Sequence, residues 1–267
     1  MKSTDFDTKR IAEGYRNRPF LHRQVIETFQ EDIGGRHFAL GLDIGCGAGL
    51  STKALKAICE RVIGLDISPE MIRAAQEVCG QDETITYIVS SAEEIAIPEE
   101  KADIVTAAGA IQWIDRALFL PRVSQAMKEN GYLLIYDFAI SDDMQGNQPY
   151  TDWWHNQYLK EFPRPYRNES VWRNEDVAPY GFRMLKQRNL EMVYSFDLAS
   201  FIGFMMIQSN VNARIDAGER KEEAVYQWFR ETLSPIFHGE KQGLVFKGYS
   251  WYLQKEAYDT ITLCFTG

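Results

Sequence analysis

The sequence predicts an α/β protein: a Rossmann-like, doubly wound sheet, mostly parallel with a late antiparallel strand, plus an inserted helical cap. Three observations predict it. From residue 40 to 138, short β-rich runs alternate with helically periodic stretches, the pattern of a parallel sheet covered by helices. The runs are almost continuously apolar, as strands buried on both faces are. The first of them ends in a glycine cluster, "LDIGCGAGL" over 42–50, where strand must turn tightly into helix.

The strand candidates are "ALGLDIG", "RVIGLDI", "ITYIV", "ADIVTAA" and "YLLIYDF". Among the helices between them, Leu50–Cys59 carries Ala54, Leu55 and Ile58 spaced for one buried face. Pro69–Cys79 follows Ser68, an N-cap residue with proline at the first helical position. Leu118–Lys128 stops before "ENG", which reads as a turn or C-cap. Upstream, "FLHRQVIETFQEDI" is an amphipathic helix stopped by Gly34-Gly35. Downstream the alternation fails. Residues 139–188 are rich in aromatics, prolines and arginines, 189–198 read as a strand, 199–237 as two helices, and "YDTITLCFTG" as a last strand. The chain therefore divides into lid helices (1–35), a cofactor-binding core (36–138), a substrate-binding cap that includes a core strand near 189–198 (139–257), and a final core strand (258–267).

With 267 residues, 45% of them hydrophobic, one large domain with an insertion is expected. The net charge of −9, from 29 basic and 38 acidic side chains, argues against nucleic acid as a partner, since such binding is led by phosphate neutralisation. The four cysteines have neither C-x-x-C spacing nor a histidine at zinc-ligand spacing, so no metal site is expected and the thiols read as reduced. No run approaches the roughly 18 apolar residues of a membrane span. A cytoplasmic protein with no membrane partner, monomeric or homodimeric, is the expectation.

The glycines at 45, 47 and 49 suit any nucleotide fold. A dinucleotide fingerprint needs its third small residue three places after the second, and here Leu50 stands there. Asp43 adds a stronger objection. A pyrophosphate wants amides and the positive end of a helix, and a carboxylate beside it repels. A cofactor with a cation at that place reverses the sign. S-adenosyl-L-methionine carries an ammonium and a sulfonium, so Asp43 assists it where it would hinder a nicotinamide dinucleotide. Asp66, ending the second strand 23 residues later, is placed to accept ribose hydroxyls.

These blocks resemble the class I S-adenosylmethionine-dependent methyltransferases, in particular the small-molecule branch with the trans-aconitate and quinone-biosynthesis methyltransferases. "LDIGCGAG" matches the family's D/E-x-G-x-G-x-G motif and "GLDISPEMI" the segment with the ribose-binding acid. "SSAEEIAIP" lies at the adenine segment, "AAGAIQWI" at the exit of strand four, and "MKENGYLLI" at the entry to strand five. The amino-terminal "YRNRP" resembles the lid. The resemblance implies that Asp43, Gly45, Cys46 and Gly47 pass the methionine part of the cofactor. Asp66 would hold the ribose, Ile67 would meet the adenine face and the Ala92 backbone its edge, with the Ser91 hydroxyl or Glu93 as the acceptor there; Met71 counts among the cofactor-binding residues. Ala107 and Ala108, continuing to Ala110, would line the site, with Tyr15 and Arg18 closing over it. Ser91 departs from the family, which often has aspartate there. The product would be S-adenosyl-L-homocysteine.

Methyl transfer is an in-line displacement at an already activated carbon, so positioning is the main task and a catalytic side chain is optional. The weak candidates for one are His155, Gln112 and Trp113. His22, His37 and His238 stand alone in the sequence and read as solvated. Trp153, Trp154, Tyr158, Phe162, Tyr166, Trp172, Tyr180 and Phe182 suit an aromatic acceptor or build the cap's own core. Arg164, Arg167, Arg173 and Arg183 suit an anionic acceptor or surface ion pairs. The expected function is methyl transfer to an oxygen (or nitrogen or carbon) of a small molecule. The competing readings are a nucleic-acid or protein methyltransferase of the same fold, a nicotinamide-dependent oxidoreductase, a cyclase-like enzyme, and a non-catalytic cofactor binder. Against the nucleic-acid reading, "NQPY" at 147–150 follows strand five, not strand four.

Overall fold

The computed structural model describes residue 14 and residues 18–80, 82–95, 100–164 and 171–257. Tyr15, Tyr166, Arg167 and the strand expected over 258–267 lie outside the described residues.

Seven strands form one sheet in the order β3-β2-β1-β4-β5-β7-β6. They are β1 (Phe38–Ile44), β2 (Cys59–Asp66), β3 (Ile85–Val89), β4 (Ala102–Ala108), β5 (Met127–Ile140), β6 (Phe182–Phe196) and β7 (Gln242–Lys255). The first five run parallel, and β7 lies antiparallel between β5 and β6. This is the mostly parallel sheet with one late antiparallel strand that the alternation predicts. The strand read at 189–198 is the second half of β6. The strand that closes the sheet was not anticipated: β7 falls within the segment assigned to the cap. Its "GLVFKGYSWYLQ" mixes lysine and glycines into the apolar run and so lacks the continuous pattern of β1 or β5.

Both faces of the central strands are covered, which is why β1, β4 and β5 are so apolar. On one face Val62, Ile104, Leu134 and Tyr136 pack against α1 (His22–Asp32) and α2 (Leu50–Leu55). Leu40, Leu42, Val105 and Leu133 pack the other face against α4 (Arg116–Ala126). Helix α2 is shorter than expected. It tightens into a 3-10 turn at Lys56–Ile58, and Cys59 already begins β2. Helix α3 (Pro69–Cys79) starts as read, with the Ser68 hydroxyl accepting the Met71 N–H. Helix α4 begins two residues before the expected start, because the Asp115 carboxylate accepts the Ala117 and Leu118 N–H groups. The "ENG" segment does not end that helix. It is a bulge inside β5, with Asn130 at φ 60° and the register shifting between Ala102 and Ile104.

The cap comes in two pieces. Helix α5 (Gln148–Trp153) and a π-helical turn (Trp154–Tyr158) precede β6, while α6 (Leu198–Met206), α7 (Ser209–Asp216) and α8 (Glu222–Phe237) separate β6 from β7. Among the described residues no helix is long and apolar enough to cross a membrane.

Candidate active site

The strand order reverses between β1 and β4, and in such sheets ligands bind outside the carboxyl ends of the strands at the reversal. Four turns meet there: the loops after β1, β2, β3 and β4. The first is the glycine loop. Gly45, Gly47 and Gly49 all have positive φ, at 66°, 52° and 87°, a region open to glycine at little cost. A Cβ on Gly45 would stand 2.6 Å from the Ala110 Cβ, so the loop sits directly on the exit of β4. Around Gly47 the space is open.

Asp66 ends β2 with its carboxylate turned back over this loop. Oδ2 accepts the Gly47 N–H at 2.9 Å and Oδ1 accepts the Ser68 N–H at 2.9 Å. Next to it, Ile67 is 52% exposed, an apolar face unusual at a polar strand tip. Ser91 caps the short turn Ala92–Glu94, and its hydroxyl has no hydrogen-bond partner among the described residues. Glu93 instead accepts the Asp115 N–H at 3.1 Å, which binds the adenine-segment turn to the loop after β4.

Asp43 corrects the sequence argument. The expected carboxylate beside the cofactor's cation has no exposed surface. Its Oδ2 accepts the Ser51 and Thr52 hydroxyls at 2.6 and 2.7 Å, and Oδ1 accepts the Thr106 hydroxyl at 2.7 Å. Burial raises its pKa, and the three hydroxyl bonds oppose that rise. The side chain therefore fastens α2 to β1 and β4, holding the glycine loop in shape from below. Motif position alone could not show this, because the acceptors' partners lie eight, nine and 63 residues away.

Cys46 and Met71 are also buried, so both shape the site from beneath it. The Cys46 thiol is pushed well up by burial and by the Asp43 and Asp66 charges. Ala107 is buried and Ala108 partly so. Past them the Gln112 amide donates to the Gly109 carbonyl at 3.1 Å, and Trp113 is exposed at the mouth. The structure thus brings together Gly45, Gly47, Asp66, Ile67, Ser91, Ala92, Ala108 and Gln112.

His155 lies elsewhere. Its Nε2 is 2.8 Å from Asp142 Oδ2, beyond the end of β5. Ile140, which ends that strand, is already four residues past Tyr136, or about 13 Å. The pair lowers the Asp142 pKa and is a surface contact. Similarly, Trp153, Trp154, Tyr158, Phe162, Trp172 and Phe182 are all buried, and the first four form one aromatic core with Phe229. Of the arginines, Arg164 lies over Trp154 and donates to the Ile140 carbonyl. Arg173 faces Glu175, and Arg183 donates to Gln254. "NQPY" begins α5, with Asn147 as its N-cap.

One residue the sequence reading set aside belongs here. His22, the first residue of α1, is not solvated. Its Nδ1 is 3.0 Å from the Tyr136 hydroxyl, and its ring packs against Tyr136 and Phe138. Tyr136 is the register partner of Ala108, and its carbonyl accepts the Gly109 N–H at 2.8 Å. Burial, aided by the Arg18 charge, lowers the His22 pKa to about 3. The signal in the sequence was positional only: an aromatic at the tip of strand five and a histidine opening the preceding helix.

Residues 42–135 match the family model of the methyltransferase domain. A solved structure from Anaeromyxobacter dehalogenans, provisionally titled a type II methyltransferase, superposes with a TM-score of 0.66 at 21% identity, covering 87% of this chain and 95% of that one. The chain thus carries the domain of an S-adenosylmethionine-dependent methyltransferase. A Dictyostelium discoideum protein, provisionally named a methyltransferase, is 25% identical to this methyltransferase over 81% of the chain and 82% of its own length. The ubiquinone biosynthesis O-methyltransferase of Bradyrhizobium diazoefficiens is 38% identical over a shorter reach, 35% of this chain and 38% of that protein. S-adenosylmethionine is the cofactor of such methyltransferases.

Proposed function

We propose that this methyltransferase moves the methyl group of S-adenosylmethionine to an oxygen atom of a small-molecule acceptor, by holding the two in line. The observation that carries the reading is the closeness of lid and cap above the strand tips. The chain at Gly14 touches Ile207, the residue after α6, and His22 meets Tyr136 and Phe138 of β5, level with the end of β4. A mouth roofed in this way suits a compact acceptor better than an open nucleic-acid or protein surface. The acidic balance of the chain supports the same choice. The likeness to the ubiquinone biosynthesis O-methyltransferase favours oxygen, within the third of the chain that it spans.

In this reading Asp66 accepts the ribose hydroxyls beside the N–H groups of Gly47 and Ser68. The exposed face of Ile67 covers the adenine, and the Ser91 hydroxyl and Ala92 backbone meet its edge. The methionine part crosses the open space at Gly47. Arg18 closes from the lid. The acceptor enters over Gly109 and Gln112, and the attacking oxygen needs to stand about 3–3.5 Å from the methyl carbon.

The test is calorimetric titration of wild type and Asp66→Ala with S-adenosylmethionine, S-adenosylhomocysteine and, as control, NADH. Losing charge-assisted hydrogen bonds to the ribose costs about 1.5–3 kcal/mol, or roughly 10- to 150-fold in affinity. A variant that binds as tightly as wild type removes Asp66 from the site. Release of S-adenosylhomocysteine is then followed over small carboxylates, phenols and amines, and turnover of amines alone would refute the oxygen acceptor.

A further inference from the structure

Tyr136 is 1% exposed, and the one partner of its hydroxyl among the described residues is His22 Nδ1. Burial keeps that phenol protonated well past its ordinary range. A buried O–H requires an acceptor, so it donates to Nδ1, and the imidazole proton is left on Nε2. The ring is held from two sides, with centroids 5.8 Å from Tyr136 and 5.0 Å from Phe138. Its Nε2 has no hydrogen-bond partner among the described residues. Arg18 stands close enough for its charge to disfavour the imidazolium, and the position at the start of α1 acts in the same direction through the helix dipole.

A proton acceptor is not built this way. Burial, a neighbouring cation and a helix N-terminus all oppose adding a proton to His22, whereas the cation and the helix N-terminus favour a negative ligand at its Nε2–H. The ring lies against β5 through Tyr136 and Phe138, and the neighbouring β4 leads to Gly109 and Ala110, which abuts Gly45. From β1 to β5 is two strand spacings, about 10 Å, the reach of an acceptor beside the cofactor's methionine end. Building on the small-molecule methyltransferase reading, we propose that the Nε2–H of His22, set in that tautomer by Tyr136, anchors an anionic oxygen of the methyl acceptor. His22 binds and Tyr136 positions. The anion, already deprotonated, gives no proton to either.

The experiment uses the full chain with 15N-labelled histidine, saturated with S-adenosylhomocysteine, and three probes: benzoate, 4-nitrophenolate and benzylamine. From pH 6 to 8 the His22 ring should be neutral with its proton on Nε2. Benzoate or 4-nitrophenolate should shift that N–H resonance, and whichever does so names the kind of oxyanion, while benzylamine should not. The affinity for the shifting anion should fall at least about tenfold in His22→Phe and less in His22→Gln, whose amide restores an N–H. Tyr136→Phe should release the tautomer, with Nδ1–H appearing. A proton on Nδ1 in wild type, a cationic ring at pH 6–8, no shift with either anion, or full affinity in His22→Phe would overturn the proposal. Failure to bind S-adenosylhomocysteine would instead overturn the cofactor reading beneath it.

Discussion

At Gly45 a methyl group has nowhere to go. The left-handed backbone there costs an L-residue about 1–2 kcal/mol, and the added carbon would meet Ala110 at 2.6 Å. Gly45→Ala should therefore lose about 2–4 kcal/mol of stability, counting strain and overpacking. Gly47→Ala, with φ 52° but open space around it, should lose only about 1–2 kcal/mol while placing its methyl in the space assigned to the cofactor. Urea denaturation separates the two. A Gly47→Ala protein that keeps full affinity for S-adenosylhomocysteine would show that the ligand does not cross that space. The glycine spacing was legible in the sequence because it is a local backbone requirement. The role of Asp43 was not, because the sign argument treated its charge as free. Three hydroxyls from α2 and β4 occupy it, and only the tertiary fold supplies them. His22 was missed for the same reason, since its partners are 114 and 116 residues away. It makes its own pH prediction. Its folded pKa of about 3 lies below the unfolded value near 6.5, so between those limits the unfolded chain binds more protons. Stability is complete above about pH 7 and falls as the pH drops from 6.5 toward 3. In His22→Gln that part of the acid limb should flatten, as read by melting temperature against pH. An unchanged slope would mean that the ring is not buried neutral.

At the scale of elements, Asp32 ties the end of α1 to the far strands of the sheet. Its carboxylate takes Lys186 at 2.7 Å and Arg188 at 2.7 Å from β6, and the Tyr252 hydroxyl at 3.0 Å from β7. Burial pushes this carboxyl up, but the hydrogen bonds from Lys186, Arg188 and Tyr252 outweigh it and hold the pKa at about 2. A depressed carboxyl stabilises fully above its unfolded pKa and loses that contribution as the pH falls from about 4 through 2. Asp32→Asn should cost about 1–2 kcal/mol at pH 7, the lower end reflecting the half-exposed basic partners. The difference between variant and wild type should vanish below pH 2, once the carboxyl is protonated in the folded chain too. A difference that persists there would assign the effect to packing. Strand existence was legible wherever both faces are buried, as in β1, β4 and β5. It was obscured in β7, where Lys247 and Gly248 interrupt the pattern, and at "ENG", where a bulge imitates a helix stop. The alternation of β6, with its outward Arg183, Lys186 and Arg188, could have been read as an edge strand for its full length.

For the molecule as a whole, the proposed cofactor site draws on five separated segments of chain that converge at the carboxyl ends of the central strands. They are the lid at 18–24, the glycine loop at 43–49, the turn at 66–71, the turn at 90–93 and the β4 exit at 107–113. A ligand that binds only the folded state stabilises it by mass action, about 2.7 kcal/mol at a hundredfold excess over Kd. That stabilisation should appear locally as slower amide exchange, because loops of this kind open by small local steps. Hydrogen exchange with saturating S-adenosylhomocysteine should therefore protect these five segments together. The β6–β7 pair on the far side of the sheet, distant from the strand reversal, should be protected only to the extent that global stability rises. A shallow groove between α5 and α8, lined by Pro149, Asp152, Trp153, Glu231 and Pro235, offers the contrast. It contains none of the cofactor motif, so its amides should not respond. Protection centred on that groove, with the glycine loop unchanged, would move the cofactor site off the strand tips. Protection of the glycine loop and the 66–71 turn without the lid would keep the site and sever α1 from it. The link between His22 and the acceptor would go with it.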